Sequence, residues 1–153
     1  MNPMGTDIQS DFPVTVPIVV RFRDIDAMGH VNNAVYLTYF EIGRVAFHQT
    51  LAGTEPLNPG GFEFILAEVT CSYRSPAHLG ETLLVGIRVS SVGRKSFTFQ
   101  YELRDQASGR LVAEGRSVQV MYDYGAQRSK LVSDEFLARV EALQGHPVPR
   151  ETV

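Results

Sequence analysis

The sequence predicts an α+β fold in which a curved antiparallel β-sheet wraps around one long buried helix, with a short helix near the C-terminus. Three observations lead to this prediction. The segment 33–51 has helical spacing and carries apolar residues on nearly every side. Four strand-like segments follow it along the chain. The connections between those segments are short, as they are between antiparallel neighbours.

The length of 153 residues predicts a single domain spanning 1–153. Within it we expect a loose N-terminal leader over 1–14, a core over about 16–123 and a C-terminal helix over about 133–144. The formal net charge of −3 argues against a nucleic-acid partner. We find neither a signal segment nor a run of membrane-spanning length, so we expect a cytoplasmic protein with no membrane partner.

The first elements are a strand and the long helix. Residues 16–23 are rich in β-branched side chains and predict a strand that ends in a charged loop. The helix follows over about 33–51. Asn32 or Asn33 can cap its start, and Gly53 stands just past its end.

The composition of this helix predicts that other structure encloses it. Its few charged side chains, Glu41 and Arg44, are spaced for a helical ion pair, and His48 falls on the same stripe. A sheet of so few strands covers only one side of such a helix. We therefore expect a homodimer or homotetramer.

The later elements are four strands and a surface helix. The strands are predicted over 62–73, 82–91, 96–104 and 111–122, with turn signals between them. Apolar and polar residues alternate from Phe97 to Arg104, which predicts a sheet with one wet face. Residues 133–143 are amphipathic and end before Gly145, as expected for a surface helix.

The segment between the first strand and the long helix contains the candidate chemistry. A helix N-terminus offers positive potential, and a carboxylate just upstream can approach the same carbonyl group. Alternation cannot separate Asp24 from Asp26. Asp26 can also be a helix-capping or turn-forming acid, and Asp24 is expected to pair with Arg23 or Arg21 or to orient the loop. The four histidines show no metal-ligand spacing, so no metal is predicted. The single Cys71 is interpreted as a small buried hydrophobe.

Residues 26–36, Asp-Ala-Met-Gly-His-Val-Asn-Asn-Ala-Val-Tyr, resemble the opening motif of hotdog-fold acyl-CoA thioesterases of the 4-hydroxybenzoyl-CoA thioesterase-like group. The segments 39–44, 73–77, 80–81 and 93–96 continue the match. The resemblance covers roughly residues 16–123. It implies a hotdog fold and hydrolysis of an acyl-CoA to a free acid and CoA. The group needs no cofactor, because coenzyme A is part of the substrate.

The resemblance also implies roles for individual residues. Asp26 corresponds to the catalytic carboxylate, acting as a nucleophile or as a general base on water. The backbone N–H of Asn33 corresponds to the donor that polarises the thioester carbonyl. Substrate contacts are expected at Gly29, His30, Asn32 and Tyr36. The Gly-His-Val-Asn-Asn sequence resembles the branch of the family that acts on fatty acyl-CoA. An aromatic acyl-CoA remains an open alternative as the substrate.

Arg94 and Lys95 are the predicted ligands for the phosphates of coenzyme A, because their charged ends can reach solvent from a hairpin turn. An ordinary charged turn is an equally good interpretation. Two other functions stay open at this point. One is a hotdog enoyl-CoA hydratase or dehydratase using an Asp/His pair, and the other is a non-catalytic acyl-CoA binding protein.

Overall fold

The computed structural model describes residues 11–53 and 63–151, which form six strands, two α-helices and one short 3-10 turn. The elements in chain order are β1 (Val14–Val19), the 3-10 turn (Phe22–Asp24), α1 (Val35–Ala52), β2 (Phe64–Tyr73), β3 (Thr82–Val92), β4 (Ser96–Asp105), β5 (Leu111–Asp123), β6 (Arg128–Ser129) and α2 (Asp134–Gln144). The predicted α+β class and the order of its elements are confirmed.

The strands form one antiparallel sheet in the order β1-β3-β4-β5-β2, and β6 pairs with β5. Short turns join β3 to β4 and β4 to β5, as the sequence predicts. β2 pairs with β5 from Phe64 opposite Met121 to Tyr73 opposite Ala113. The other side of β2 has no strand beside it in the described part of the chain. It is therefore an open edge.

Both helices pack on the same face of the sheet. Phe47 of α1 contacts Phe99 with ring centres 5.0 Å apart, and Phe40 stacks on Tyr101 at 4.3 Å. Gly115 lies directly beneath Phe40, where a Cβ atom would come within 2.7 Å of the ring. The start of α2 is capped by the Ser133 hydroxyl, and its last residue, Gln144, is followed by Gly145, which has a positive φ of 78°.

Helix α1 is buried on one side only. Its buried residues face the sheet, and they are Tyr36, Tyr39, Phe40, Gly43 and Phe47. Leu37, Ile42 and Val45 are 37%, 39% and 47% exposed. The expectation that the sheet covers one side of this helix is confirmed. Among residues 11–53 and 63–151, nothing encloses its other side.

The N-terminal boundary differs from the prediction. β1 begins at Val14, and both Phe12 and Val14 are buried in the core, so the last residues of the predicted leader are not loose. Residues 1–10 of that leader lie outside the described residues. The predicted strand over 16–23 ends early, because Arg21 and Asp24 bond to each other and turn the chain. The single domain over 1–153 stays a prediction.

The predicted ion pair between Glu41 and Arg44 is wrong. Arg44 instead donates a hydrogen bond of 3.1 Å to the hydroxyl of Tyr101. The hydroxyl of Tyr101 in turn contacts Ser117, whose side chain bonds to Gln119. Helical spacing suggested the pair, but the buried hydroxyl of Tyr101 across the core offers Arg44 a partner that spacing does not reveal.

Candidate active site

Asp24 anchors the loop between β1 and α1. Its carboxylate accepts hydrogen bonds from the backbone N–H of Arg21 at 3.0 Å, from the Arg21 guanidinium at 3.1 Å and from the Tyr39 hydroxyl at 2.9 Å. Burial acts to raise the pKa of Asp24, but these donors outweigh it and hold the pKa below the usual range. The expected pairing of Asp24 with a neighbouring arginine is confirmed. The carboxylate of Asp24 therefore has a structural role, because its oxygens already accept hydrogen bonds from Arg21 and Tyr39.

Asp26 lies in a tight turn that opens onto solvent. Its backbone N–H donates to His30 O at 3.0 Å, and Gly29 N–H donates back to Asp26 O at 3.0 Å. The turn needs a glycine, since Gly29 has a φ of 85°. Met28 N–H donates to Asp26 Oδ1 at 2.9 Å, so Asp26 also forms a turn in its own right. Its Oδ2 has no hydrogen-bond donor in the described part of the chain.

The start of α1 lies two residues later than predicted. The helix begins at Val35, and Ala34 occupies the cap position without a side-chain bond. Asn32 instead closes a turn just before the helix, with its Oδ1 accepting Ala34 N–H at 2.9 Å. The backbone N–H of Asn33 meets no acceptor among residues 11–53 and 63–151. The helix entrance thus presents an open backbone donor.

A cleft of about 400 Å³ lies between this loop, the start of α1 and the end of β2. It is lined by Asp26, Met28, His30, Val31, Asn33, Tyr36, Tyr73, Arg74, Ser75 and Pro76. The structure thus brings together four of the predicted site residues, which are Asp26, His30, Asn33 and Tyr36. Gly29 and Asn32 do not line the cleft. They shape the turns on either side of it.

The far wall of the cleft, residues 73–76, is missing from the sequence-based site. The ring of Tyr73 meets Tyr36 edge-on with centres 5.1 Å apart. Arg74 forms an exposed ion pair of 2.7 Å with Glu114 on β5. The segment belongs to the stretches that match the family resemblance, and this was the one signal available. Its place opposite Asp26 depends on long-range strand pairing.

Arg94 and Lys95 do not reach the cleft. They occupy the β3–β4 turn, whereas the cleft lies toward the other end of β4. The seven residues from Phe97 to Leu103 alone span about 20 Å at the usual rise of a strand. Lys95 lies near Ser129, at 3.5 Å, and the Arg94 carbonyl accepts the Val132 N–H. The single chain thus does not bring these two residues to the other site residues, and their contact with substrate stays a prediction.

Burial shifts the pKa values of two side chains that do not line the cleft. His48 stacks on Phe64 at 4.7 Å, and burial together with the nearby charge of Arg44 lowers the pKa of His48 to about 4. Cys71 is half-buried, and burial raises the pKa of its thiol.

The described residues hold no cluster of three His, Cys, Asp or Glu side chains suited to a metal. Neither α1 nor α2 could cross a bilayer.

The sequence and the fold have counterparts in known proteins. A family model described as the thioesterase-like superfamily matches residues 20–140. The long-chain acyl-CoA thioesterase FadM of Escherichia coli is 24% identical over 126 residues, covering 82% of this chain and 96% of FadM. The putative acyl-CoA thioesterase YneP of Bacillus subtilis is 28% identical over 107 residues, covering 69% of this chain and 77% of YneP.

A solved structure has the same fold. A thioesterase from Thermus thermophilus, crystallised in complex with coenzyme A and zinc, is 33% identical and superposes with a TM-score of 0.79. The match covers 90% of this chain and 98% of the Thermus chain. The predicted hotdog fold is thereby confirmed. The chain belongs to the thioesterase-like superfamily and is a thioester hydrolase.

Proposed function

We propose that this protein hydrolyses acyl-CoA thioesters to a free carboxylic acid and coenzyme A, with Asp26 and the Asn33 N–H as its reacting groups. The observation that carries the proposal is that both residues line one cleft. Asp26 has a carboxylate oxygen without a donor, and Asn33 has an N–H without an acceptor, among the residues described. The relatives named as acyl-CoA thioesterases support this choice of substrate.

The proposed chemistry places opposite demands on the two groups. A thioester carbonyl oxygen that accepts the Asn33 N–H develops negative charge as its carbon is attacked. The dipole of α1 favours that charge. Asp26 approaches the carbon from the loop side. The donor and the carboxylate then act on the same carbonyl group.

Two routes fit the geometry and stay open. In the first, Asp26 attacks the carbonyl carbon and CoA leaves as a thiolate, which yields an acyl-aspartyl anhydride that water then cleaves. In the second, Asp26 takes a proton from water, the hydroxide attacks, and the proton passes to the departing sulfur. Either route consumes one water and releases one acid and one CoA thiol.

The remaining cleft residues divide between the two parts of the substrate. Met28, Val31 and Pro76 offer apolar contacts for the acyl group, while His30 and Tyr36 complete the wall. Arg74 is the proposed phosphate contact within this chain, because it lies at the rim of the cleft. Its pair with Glu114 is exposed on both sides, and such pairs contribute little stability. The guanidinium can therefore exchange Glu114 for a phosphate.

A second copy of this chain completes the proposal. The exposed apolar side chains of α1, namely Leu37, Ile42 and Val45, lie on the helix face that the sheet leaves uncovered. Ile65 and Leu66 are also exposed on the open edge strand β2. Association of two or four copies would remove this apolar surface from water. Light scattering would test it, and a monomeric mass would refute it. A cytoplasmic location stays a prediction.

Hydrolysis of an acyl-CoA panel, followed with a thiol-detecting dye, tests the proposed activity. Asp26→Asn should lower kcat by at least a hundredfold, since it removes the nucleophile or base while keeping the side-chain size. Asp123→Asn is the matched control. Asp123 also accepts a backbone N–H in an exposed turn, at 3.0 Å from Ala126, but lies at the far end of β5.

The outcomes separate the alternatives. Wild-type turnover by Asp26→Asn would refute the proposed chemistry, and so would an equal loss of kcat in Asp123→Asn. Water addition to crotonyl-CoA without thiol release would indicate a hydratase. Tight binding of acyl-CoA with no turnover across the panel would indicate a binding protein.

A further inference from the structure

The peptide groups around Asn33 are held in place by three hydrogen bonds. The N–H of Asn32 donates to Asp24 O at 2.9 Å. The side-chain oxygen of Asn32 accepts the N–H of Ala34 at 2.9 Å. The carbonyl of Asn33 accepts the hydroxyl of Tyr73 at 2.8 Å. The peptide groups on either side of the Asn33 N–H are thus hydrogen-bonded, while that N–H has no acceptor among the described residues.

Tyr73 differs from the other two anchors because it comes from a distant part of the chain. Asp24 and Asn32 belong to the same loop as Asn33, whereas Tyr73 is the last residue of β2. Its bond therefore ties the start of α1 to the edge of the sheet. The buried ring of Tyr36 packs against the Tyr73 ring and restricts its direction. Burial raises the pKa of Tyr73, so its hydroxyl remains a protonated donor at neutral pH.

We propose that Tyr73 is a positioning residue for thioester hydrolysis, acting through the carbonyl of Asn33 on the direction of the Asn33 N–H. This inference rests on the proposed function, in which that N–H binds the developing oxyanion. An oxyanion donor is effective only when it is aimed before the reaction begins. Without the Tyr73 hydroxyl, the Asn33 carbonyl loses its hydrogen bond to a distant part of the same chain. The neighbouring peptide groups then gain freedom to rotate.

The expected signature is a loss of rate without a loss of binding. Tyr73→Phe keeps the aromatic wall of the cleft and removes only the hydroxyl. We expect kcat to fall about tenfold, less than the hundredfold or more seen when an oxyanion donor itself is removed. KM for the same acyl-CoA should stay within about twofold, because the ring still lines the cleft.

Tyr124→Phe is the matched control. The Tyr124 hydroxyl also donates to a backbone carbonyl at 2.8 Å, that of Phe64, and its side chain is similarly exposed. Phe64 begins β2, so this bond lies at the end of the strand away from the cleft. We expect kcat of Tyr124→Phe to equal that of the wild type.

A wild-type kcat in Tyr73→Phe would overturn the inference, and so would an equal loss of kcat in Tyr124→Phe. A rise in KM with unchanged kcat would also overturn it, since that pattern indicates a substrate contact. If Asp26→Asn is inactive while Tyr73→Phe is fully active, only the positioning role fails.

Amide hydrogen exchange measured by NMR tests the same point without turnover. We expect exchange at the Asn32 and Ala34 amides, which are both hydrogen-bonded, to become at least fivefold faster in Tyr73→Phe and to stay unchanged in Tyr124→Phe. Unchanged exchange in Tyr73→Phe would refute the positioning role even if the acyl-CoA panel showed no activity.

Discussion

Acidification from pH 7.5 to pH 5 should destabilise this protein through His48. Burial, with a contribution from the charge of Arg44, lowers the pKa of His48 from 6.5 to about 4. Between these values the unfolded chain binds a proton that the folded chain does not. Stability is therefore fully present above pH 6.5 and is lost as the pH falls toward 4.

The magnitude follows from the two pKa values. Each pKa unit corresponds to about 1.4 kcal/mol, so the complete loss is about 3 kcal/mol. At pH 5 roughly 2 kcal/mol of it is already gone, because the unfolded histidine is then almost fully protonated and the folded one is still neutral. That loss is a large share of the stability of an ordinary domain, which is about 5–15 kcal/mol.

Urea unfolding at fixed protein concentration, followed by circular dichroism at pH 7.5 and pH 5, measures the loss. His48→Gln should remove most of the pH dependence, because glutamine does not titrate. His146→Gln is the control, since His146 is an exposed residue after α2, and it should keep the wild-type loss. Equal losses in wild type and His48→Gln, or no loss in the wild type, would refute the reasoning.

Two other predictions concern packing and substrate binding. Gly115→Ala should lower the free energy of unfolding by about 1–3 kcal/mol, because the new methyl group meets the backbone carbonyl oxygen of Thr70 and then the Phe40 ring. Urea unfolding measures this, and unchanged stability would contradict the packing. Arg74→Ala should raise KM for acyl-CoA about fivefold and leave kcat nearly unchanged, whereas the same acyl group on pantetheine, which lacks the nucleotide phosphates, should show no change. Arg139→Ala, which removes an exposed arginine on α2, is the control; an equal rise in KM there or with the pantetheine substrate would count against a phosphate contact.

The elements that depend on local patterns could be predicted from the sequence. Alternation placed Phe97, Phe99, Tyr101 and Leu103 on one face of β4, and all four are buried there. The cap of α2 at Ser133 follows from the chemistry of a single side chain. Such features need only neighbours along the chain, so the sequence contains the information that determines them.

The parts that local patterns could not supply depend on which distant residues meet. Arg94 and Lys95 are charged, but the pairing of β3 with β4 carries their turn away from the cleft. Tyr73 and Arg74 enter the site because β2 pairs with β5 at the edge of the sheet, far along the chain from the loop that they face. Composition and spacing contain no measure of that register.

The two aspartates of the loop have separate structural positions. Had the strand continued through both, Asp24 and Asp26 would have pointed the same way. The 3-10 turn at Phe22–Asp24 breaks that alternation. Asp24 turns inward, where its carboxylate holds Tyr39 of α1 and its carbonyl holds the N–H of Asn32.

One buried residue thus fixes both ends of the loop. Asp24 joins the chain just before Asp26 to the chain just before Asn33, so the proposed carboxylate and the proposed donor border the same cleft. A carboxylate that already accepts several hydrogen bonds and has a lowered pKa is a poor nucleophile and a poor base. Asp26 keeps an oxygen without a donor in the described structure. The assignment of chemistry to Asp26 and of support to Asp24 therefore has a physical basis independent of the family resemblance.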